Sequence, residues 1–204
     1  MDTMLTLLKD VWHLDAPNLL ISVTGGAKNF KMKPRLKEMF RRGLINVAKS
    51  TGGWIISGGM NEGVMKQVGD AVHDHLVAQG SKAGLVAFGI ATWGCVKGKK
   101  TLVNEGDSWP AEYKDDVETG TNGKSALNPN HSHFILVDNG TQYIFGGEID
   151  FRAKLEAKIS EKYKEDGEWK DGREGGREGG QYVSHSRTSV LCCSVLSDTG
   201  LLLV

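Results

Sequence analysis

Two pairs of glycines, each placed directly after a short apolar run, carry the strongest chemical signal in this sequence. The first pair follows LLISV at 19–23, and the second follows WII at 54–56. Glycine lets backbone N–H groups approach an anion with no Cβ in the way, and a preceding hydroxyl adds a further donor. The residues concerned are Thr24, Gly25 and Gly26 in the first turn and Ser57, Gly58 and Gly59 in the second. The pattern predicts a site for a phosphate-bearing ligand such as a nucleotide; the alternative is that these glycines only make tight turns.

The sharper nucleotide-binding motifs do not occur in the sequence. Neither G-x-G-x-x-G after a strand nor G-x-x-x-x-G-K-[ST] is found, which disfavours ordinary dinucleotide and Walker-type sites. Two further turns, ATWG at 91–94 and DNG at 138–140, also follow apolar runs. Ligands of open parallel sheets bind beyond the carboxyl ends of the strands, so all four turns are expected at one edge.

Seven cations lie between residues 28 and 42, against the single acid Glu38. Such a collar could attract an anionic ligand or an acidic partner. The other interpretation, favoured for most of the seven, is the solvated face of an amphipathic helix. Lys28 and Asn29 are the exceptions, because they lie in the loop that follows the first glycine pair.

Four more polar residues come late in the chain. His131 and His133 flank Ser132, so on a strand they would share one face; packing or hydrogen bonding to a substrate is a better interpretation than metal ligation, and no metal or catalytic residue is assigned. Glu148 and Arg152 are expected at the start of a helix, facing the same edge as the glycine turns. Arg152 could bind a phosphate through two parallel hydrogen bonds, or it could form a surface ion pair.

The spacing of apolar residues predicts an α/β fold with a mainly parallel sheet. The predicted elements are strands at 19–23, 54–56, 84–90 and 133–137 and helices at 34–48, about 61–78 and 149–163. The first strand is expected to be buried on both faces. Pro34 should open the first of these helices, Thr51-Gly52-Gly53 should stop it, and Asn61 should be the N-cap of the second. One face of the first helix carries its apolar residues, namely Leu36, Met39, Phe40, Leu44 and Val47.

The remaining segments divide the chain into three parts. Residues 95–130 carry turn formers and charges and are expected to form a surface insertion within a domain that spans 1–164. DGREGGREGG at 171–180 is a short repeat without apolar residues, so 165–181 is predicted to be a flexible linker. The last part, 182–204, is an apolar tail that could be a final strand or a segment with no partner.

Composition limits the classes of function. Lys and Arg total 25 and balance 25 Asp and Glu, so bulk charge gives no argument for a nucleic-acid partner. Three cysteines, two of them adjacent, form no disulfide framework. No apolar window reaches the ~18 residues that a transmembrane helix needs, and MDTMLTLLKDVW is too polar for a secretory signal. These features predict a soluble, cytoplasmic protein.

Several longer stretches resemble one family. PNLLISVTGGAKNFKMKPRLKEMFRRG, GVMKQVGDAV, GIATWG, PAEY and NHSHFILVDNGT are similar to the N-terminal cytosolic homology region of melastatin-type transient receptor potential (TRPM) cation channels, from about Trp12 to Lys164. VTGGAKNF, ATWG and PAEY are most similar to the ADP-ribose-gated branch. The resemblance implies a SLOG-type, Rossmann-like three-layer sandwich that binds ADP-ribose or a related nucleotide and regulates a Ca²⁺-permeable pore. It also implies the remaining channel domains and subunits as partners, in a tetramer at the cytosolic face of the plasma membrane.

The resemblance also assigns ligand contacts, residue by residue. Thr24, Asn29 and Arg152 match positions that contact the ligand in that family, and Phe145 stands where the family has a stacking tyrosine. Together with the turn residues and Lys28 and Glu148, these positions form the predicted ligand site. The family's next strand and its second basic segment do not follow residue 164, so the sheet is expected to be incomplete at the C-terminus.

Two other functions compete with a nucleotide sensor. One is a phosphoribohydrolase like the lonely-guy proteins, whose chemistry needs a P-G-G-x-G-T-x-x-E loop. The nearest match, Phe145-Gly146-Gly147-Glu148, lacks the later Gly-Thr, so no enzyme activity is predicted. The other is an assembly module that binds no small ligand.

Overall fold

The computed structural model describes residues 1–26, 28–79, 84–103, 112–113, 123–166, 189–196 and 200–203. These segments contain four α-helices and six strands. The helices are α1 (Asp2–Thr6), α2 (Pro34–Thr51), α3 (Gly63–Gln79) and α4 (Ile149–Asp166), and a π-helical turn, Leu7–Val11, continues α1. The strands are β1 (Leu20–Ser22), β2 (Trp54–Ser57), β3 (Val86–Thr92), β4 (His133–Asp138), β5 (Ser189–Leu196) and β6 (Gly200–Leu203). No described helix is both long enough and apolar enough to cross a bilayer.

The six strands form one sheet in the order β1-β2-β3-β4-β5-β6. The first four are parallel, with Ile21 opposite Ile55 and Gly89 opposite Phe134. This confirms the predicted α/β fold with a mainly parallel sheet. Beyond β4 the backbone of β5 pairs antiparallel with it, and β6 pairs antiparallel with β5. Part of the C-terminal tail is therefore strand; residues 167–188, which include most of the predicted linker, lie outside the described residues.

Helices cover both faces of the parallel strands, which gives the three layers that were expected. On one face, side chains of β2, β3 and β4 pack with Leu8 of the N-terminal segment and with Leu155 and Ile159 of α4. On the other face, Ile55 and Ala87 pack with residues of α2 and α3. Fully buried side chains from both faces, such as Phe134 and Ile135, make the sheet centre the core of the protein.

The first strand differs from its prediction. Leu20 and Ile21 are only half-buried and Ser22 is exposed, so burial of β1 on both faces was wrong. The reason is position in the sheet: β1 is an edge strand that pairs with β2 alone among the described strands. An apolar run of this length cannot distinguish an edge strand from a central strand.

The bounds of α2 follow the predicted signals, but its buried face does not. Pro34 occupies the first turn, and Gly52 ends the helix with φ of 62°, a left-handed conformation that favours glycine. Among the residues predicted to share the apolar face, Leu44 is buried and Phe40 is half-buried, whereas three are exposed. The exposed three are Leu36, Met39 and Val47. The buried side is instead centred on Leu44, Ile45 and Ala48.

An ion-pair network lies on the side of α2 that faces α3, which differs from the predicted side. Arg41 binds Asp70 at 2.6 Å and Asp74 at 2.5 Å, both on α3. These contacts keep the side of α2 that carries Arg41 against α3, next to Leu44 and Ile45. The stripe that contains Leu36 and Met39 is thereby turned toward solvent.

Two further predictions need correction. The helix α3 begins at Gly63, so Asn61 is not its N-cap; the Asn61 side chain accepts a hydrogen bond from Asn128 instead. Residues 95–130 are not simply a surface insertion, because Val96, Leu102 and Leu127 are buried. Residues 104–111 and 114–122 of that segment lie outside the described residues.

Candidate functional site

The loops that follow β1, β2, β3 and β4 lie at the carboxyl edge of the parallel sheet, where the turns were expected to meet. The loop after β1 is the most open of the four. Exposed residues of this loop include the predicted ligand contacts Thr24, Gly25, Gly26, Lys28 and Asn29. Ser57, the last residue of β2, lies with Gly58 and Gly59 in a much more buried turn. The two glycine pairs are therefore similar in sequence but different in environment.

The cost of adding a Cβ separates the two pairs. At Gly59, which has φ of 69°, a Cβ would lie 2.6 Å from the Cα of Gly89, and at Gly58 it would lie 2.5 Å from the sulfur of Met65. At Gly25 the nearest atom would be a methyl carbon of Val64 at 3.0 Å. At Gly26 a Cβ would meet nothing within 4 Å, and no left-handed φ requires glycine there. Packing therefore explains the second pair, but it does not explain Gly26.

Ser57 is held by two hydrogen bonds inside the protein. Its hydroxyl lies 2.7 Å from Nε2 of His131 and accepts the N–H of Gly59 at 3.1 Å. Both Ser57 and His131 are almost fully buried. The pair fixes the turn after β2 and buries the Ser57 hydroxyl. A direct contact between Ser57 and a ligand stays a prediction.

The two late histidines do not share a face. β4 begins only at His133, whose ring packs against Trp12 and Phe88, whereas the ring of His131 packs against Phe134. The prediction of one common face was wrong because His131 precedes the strand. Burial lowers the pKa of each imidazole from 6.5 to about 4, so both rings are neutral at physiological pH. The structure confirms the packing of both rings, whereas hydrogen bonding to a substrate stays a prediction.

Arg152 of α4 reaches across the sheet edge to the ends of β1 and β2. Its guanidinium donates to the hydroxyl of Ser22 at 2.7 Å, to the carbonyl of Ile56 at 3.0 Å and to the carbonyl of Val23 at 3.3 Å. It also pairs with Glu156 at 2.7 Å. The side chain of Arg152 is only 12% exposed, so this is not the surface ion pair considered as an alternative.

Sequence patterns did not identify two partners of Arg152, Ser22 and Glu156. Ser22 donates to the carboxylate of Glu156 at 2.9 Å, so the two residues and Arg152 form a closed triangle. The i, i+4 spacing of Arg152 and Glu156 on one helix was the available signal for the ion pair between them. No local pattern could have indicated Ser22, which is 130 residues away.

The loop after β4 brings Glu148 to the same edge. Its carboxylate accepts a hydrogen bond from the hydroxyl of Thr92 at the end of β3. Burial, with a smaller contribution from the charge of Glu148, raises the pKa of the Cys95 thiol. Phe145 is 46% exposed in this loop, which leaves much of its ring accessible.

The loop after β1 is tied to the helix after β2. The side chain of Asn29 accepts a hydrogen bond from the backbone N–H of Gly63 at 2.9 Å. Lys28 is exposed and forms no ion pair within the described part of the chain. The edge therefore presents Lys28 as an exposed cation and Arg152 as a fixed guanidinium, with Glu148 as an acid at the same edge.

A groove of about 1000 Å³ lies at the opposite, amino edge of the sheet. Trp54, Val86 and Ser132, near the starts of β2, β3 and β4, line it together with Lys49 and His73. Sequence patterns gave no indication of this groove, because the predicted ligand turns follow the strands, whereas the groove lies at the starts of the strands. It does not include any of the predicted ligand-site residues.

Comparison with known proteins gives a consistent result. The family model described as SLOG in TRPM matches residues 1–171. The chain is 54% identical over 162 residues to transient receptor potential cation channel subfamily M member 2 of Mus musculus, which covers 79% of this chain and 11% of that protein.

More distant relatives agree with this match. The chain is 51% identical over 156 residues to subfamily M member-like 2 of Nematostella vectensis, covering 76% of this chain and 10% of that protein. It is 43% identical over 159 residues to subfamily M member 1 of Mus musculus, covering 78% of this chain and 10% of that protein. The chain thus spans about one tenth of the length of these curated relatives.

Proposed function

The chain belongs to the SLOG family of TRPM channels, and from that premise we propose that it is a nucleotide-sensing regulatory part of a Ca²⁺-permeable cation channel. The proposed ligand is ADP-ribose or a related nucleotide, bound at the carboxyl edge of the sheet. The remaining channel segments and other subunits are the proposed partners, with this part at the cytosolic face of the plasma membrane.

The observation that carries the proposal is the loop after β1. Among the described residues, neither packing nor backbone conformation requires glycine at Gly26, and its described neighbours from Thr24 to Asn29 are exposed. A glycine without an internal reason is what close approach of a phosphate to the backbone would need. Lys28, two residues later, would add a positive charge to the same loop.

Arg152 would act from a fixed position. Its guanidinium is held by Glu156 and by the ends of β1 and β2, so little side-chain entropy remains to be lost when an anion binds. Its charge lies under the loop that carries Thr24 and Gly26. The same contacts give Arg152 a structural role, so replacing it would change stability as well as binding.

Binding without turnover is part of the proposal. The loop of Phe145 and Glu148 lacks the Gly-Thr of a phosphoribohydrolase, and the Glu148 carboxylate is hydrogen-bonded to Thr92. We expect ADP-ribose to be recovered intact after incubation with the chain. Release of ribose 5-phosphate would contradict this and favour the enzyme.

Thermal unfolding of the full chain, with and without millimolar ADP-ribose, tests the proposal. Ligand at 100 times its dissociation constant should stabilise the fold by ~2.7 kcal/mol, which raises the midpoint by several degrees. The informative variants are Gly26→Ala and Lys28→Gln, because neither residue is packed or paired in the described structure. Both should keep the ligand-free midpoint and lose most of the ligand-induced shift.

Lys9→Gln is the matched control, since Lys9 is an exposed lysine in the N-terminal π-helical turn. It should keep the full shift. A wild-type chain that unfolds cooperatively and shows no shift would overturn nucleotide sensing and favour the assembly module. Equal shifts in wild type and in Gly26→Ala would overturn the location of the site.

A further inference from the structure

The outward side of α2 carries a continuous apolar ridge. Leu36, Met39 and Val47 are 55%, 61% and 45% exposed, and Gly43 lies between them. Their spacing of three, four and four residues places all four side by side along one face of the helix. We call these four residues the outer stripe of α2. Isolated exposed apolar residues are ordinary, but an ordered row of them marks an interaction surface.

Gly43 is the unusual member of the outer stripe. It lies in the middle of an 18-residue helix, where glycine costs stability relative to alanine. A Cβ at Gly43 would meet nothing within 4 Å, and its φ is not in the left-handed region. No internal contact therefore requires glycine at this position. A glycine on an outward helix face forms a notch that lets a second helix approach closely.

Charge limits what could lie on the outer stripe. Arg35, Arg42 and Lys49 recur every seven residues, so they line one flank of the stripe. Arg42 pairs with Glu38, the only acid of α2, but Arg35 and Lys49 have no ion pair among the described residues. A second copy of α2 would bring these cations together, which disfavours self-association through this face.

We propose that the outer stripe of α2 is a docking surface for an acidic amphipathic helix. The apolar face of that helix crosses α2 at Gly43, with Leu36 and Met39 on one side of the crossing and Val47 on the other. Its carboxylates lie against the flank of Arg35, Arg42 and Lys49. This surface is on an outward helix face and does not depend on nucleotide binding at the sheet edge.

The probe is a synthetic helical peptide of about 20 residues, long enough to form a helix in water. It carries leucine and alanine on one face and glutamate on both flanks, and its control carries lysine at every glutamate position. Titration calorimetry with the full 204-residue chain should show binding of the glutamate peptide and none of the lysine peptide. Equal binding of both peptides, or binding of neither, would overturn the proposal.

Substitutions at Gly43 separate docking from folding. Gly43→Ala should raise the midpoint of thermal unfolding, because alanine is the better helix former, and it should weaken peptide binding. Gly43→Leu fills the notch and should weaken binding at least tenfold. Val77→Gln, at a 72% exposed position on α3, is the control and should leave binding unchanged. Wild-type affinity in Gly43→Leu would overturn a crossing at this residue.

The charged flank has its own test. Arg35→Gln should weaken binding of the glutamate peptide severalfold and reduce its dependence on salt. An affinity that does not change with salt or with Arg35→Gln would overturn the acidic partner. None of these variants touches Gly26 or Lys28, so the shift produced by ADP-ribose reports separately on the proposed sensor.

Discussion

Asn29 and Gly63 are joined by a hydrogen bond of 2.9 Å, from the backbone N–H of Gly63 to the side-chain oxygen of Asn29. Gly63 is the first residue of α3, and Asn29 belongs to the loop after β1. A residue 34 positions upstream therefore satisfies one of the amides that the start of a helix leaves unpaired. The two loops of the predicted ligand edge are connected before any ligand binds.

Asn29→Ala should lower the stability of the protein, whereas Asn29→Asp should leave it unchanged. Alanine removes the cap of α3 and should lower the free energy of unfolding by about 1 kcal/mol. Aspartate can still accept the N–H of Gly63, and its charge suits a helix N-terminus, so stability should be kept. Aspartate should nevertheless weaken nucleotide binding, because it places a negative charge beside the proposed phosphate. Urea unfolding and the ligand-induced midpoint shift measure the two effects.

Equal destabilisation by both substitutions would contradict the capping role. A full ligand-induced shift in Asn29→Asp would contradict the position of the phosphate. Asn18→Ala is a suitable control, since Asn18 lies before β1 and contributes no cap to α3.

Arg152→Ala should destabilise the protein in the absence of any ligand. It leaves the carbonyls of Val23 and Ile56 without this donor and leaves the carboxylate of Glu156 without its cation, at a cost of about 2 to 3 kcal/mol. Arg42→Ala is the matched control. Both side chains of the Arg42–Glu38 pair are exposed, so Arg42→Ala should lower the free energy of unfolding by less than about 0.5 kcal/mol. Similar urea midpoints for the two variants would show that the contacts of Arg152 carry no stability.

The parallel sheet could be predicted because each strand is a short apolar run that ends at a turn. Burial on both faces produces such runs in central strands, as β3 and β4 show. The same pattern gave no warning that β1 is an edge strand, because position in a sheet depends on partners that are distant in sequence. Pro34 and Gly52 fixed the ends of α2 correctly, since both act through local backbone geometry.

The orientation of α2 could not be predicted from the sequence alone. Leu36 and Met39 were predicted to share the buried face with Leu44, but they are exposed, because two sides of α2 carry apolar residues. On the side that faces the core, Leu44, Ile45 and Ala48 pack with α3 and the sheet and Arg41 pairs with Asp70, and these contacts join elements that are distant in sequence. For the candidate site, the edge and its turns could be predicted from spacing. The bonds that Arg152 makes with β1 and β2 could not, because they span about 100 residues or more.

Stability should fall between pH 6.5 and pH 4 through the buried histidines. The pKa of His131 and of His133 is lowered by burial to about 4, so the unfolded chain takes up protons first as the pH falls. This contribution is complete above pH 6.5 and is lost as the pH drops toward 4. At pH 5 the loss of unfolding free energy is about 2 kcal/mol for each histidine.

The variant His133→Phe isolates one of these contributions. Phenylalanine keeps the ring contacts with Trp12 and Phe88 and cannot be protonated. The fall in unfolding free energy between pH 7.5 and pH 5 should be smaller than in wild type, whereas His73→Gln, at an exposed position, should leave it unchanged. An unchanged pH dependence in His133→Phe would show that His133 is not neutral in the folded state.

Gly89→Ala should be clearly destabilising. A Cβ at Gly89 would lie 2.5 Å from a ring carbon of Phe134 and 2.7 Å from the Cα of Gly59, so either the core or the turn after β2 must shift. Overpacking of this kind costs about 1 to 3 kcal/mol. Gly26→Ala should be neutral, because nothing lies within 4 Å of its Cβ position. Equal unfolding free energies for the two variants would mean that the turn after β2 tolerates a Cβ. In that case the Gly58-Gly59 pair would need a reason other than packing, and contact with a ligand would be the one to test next.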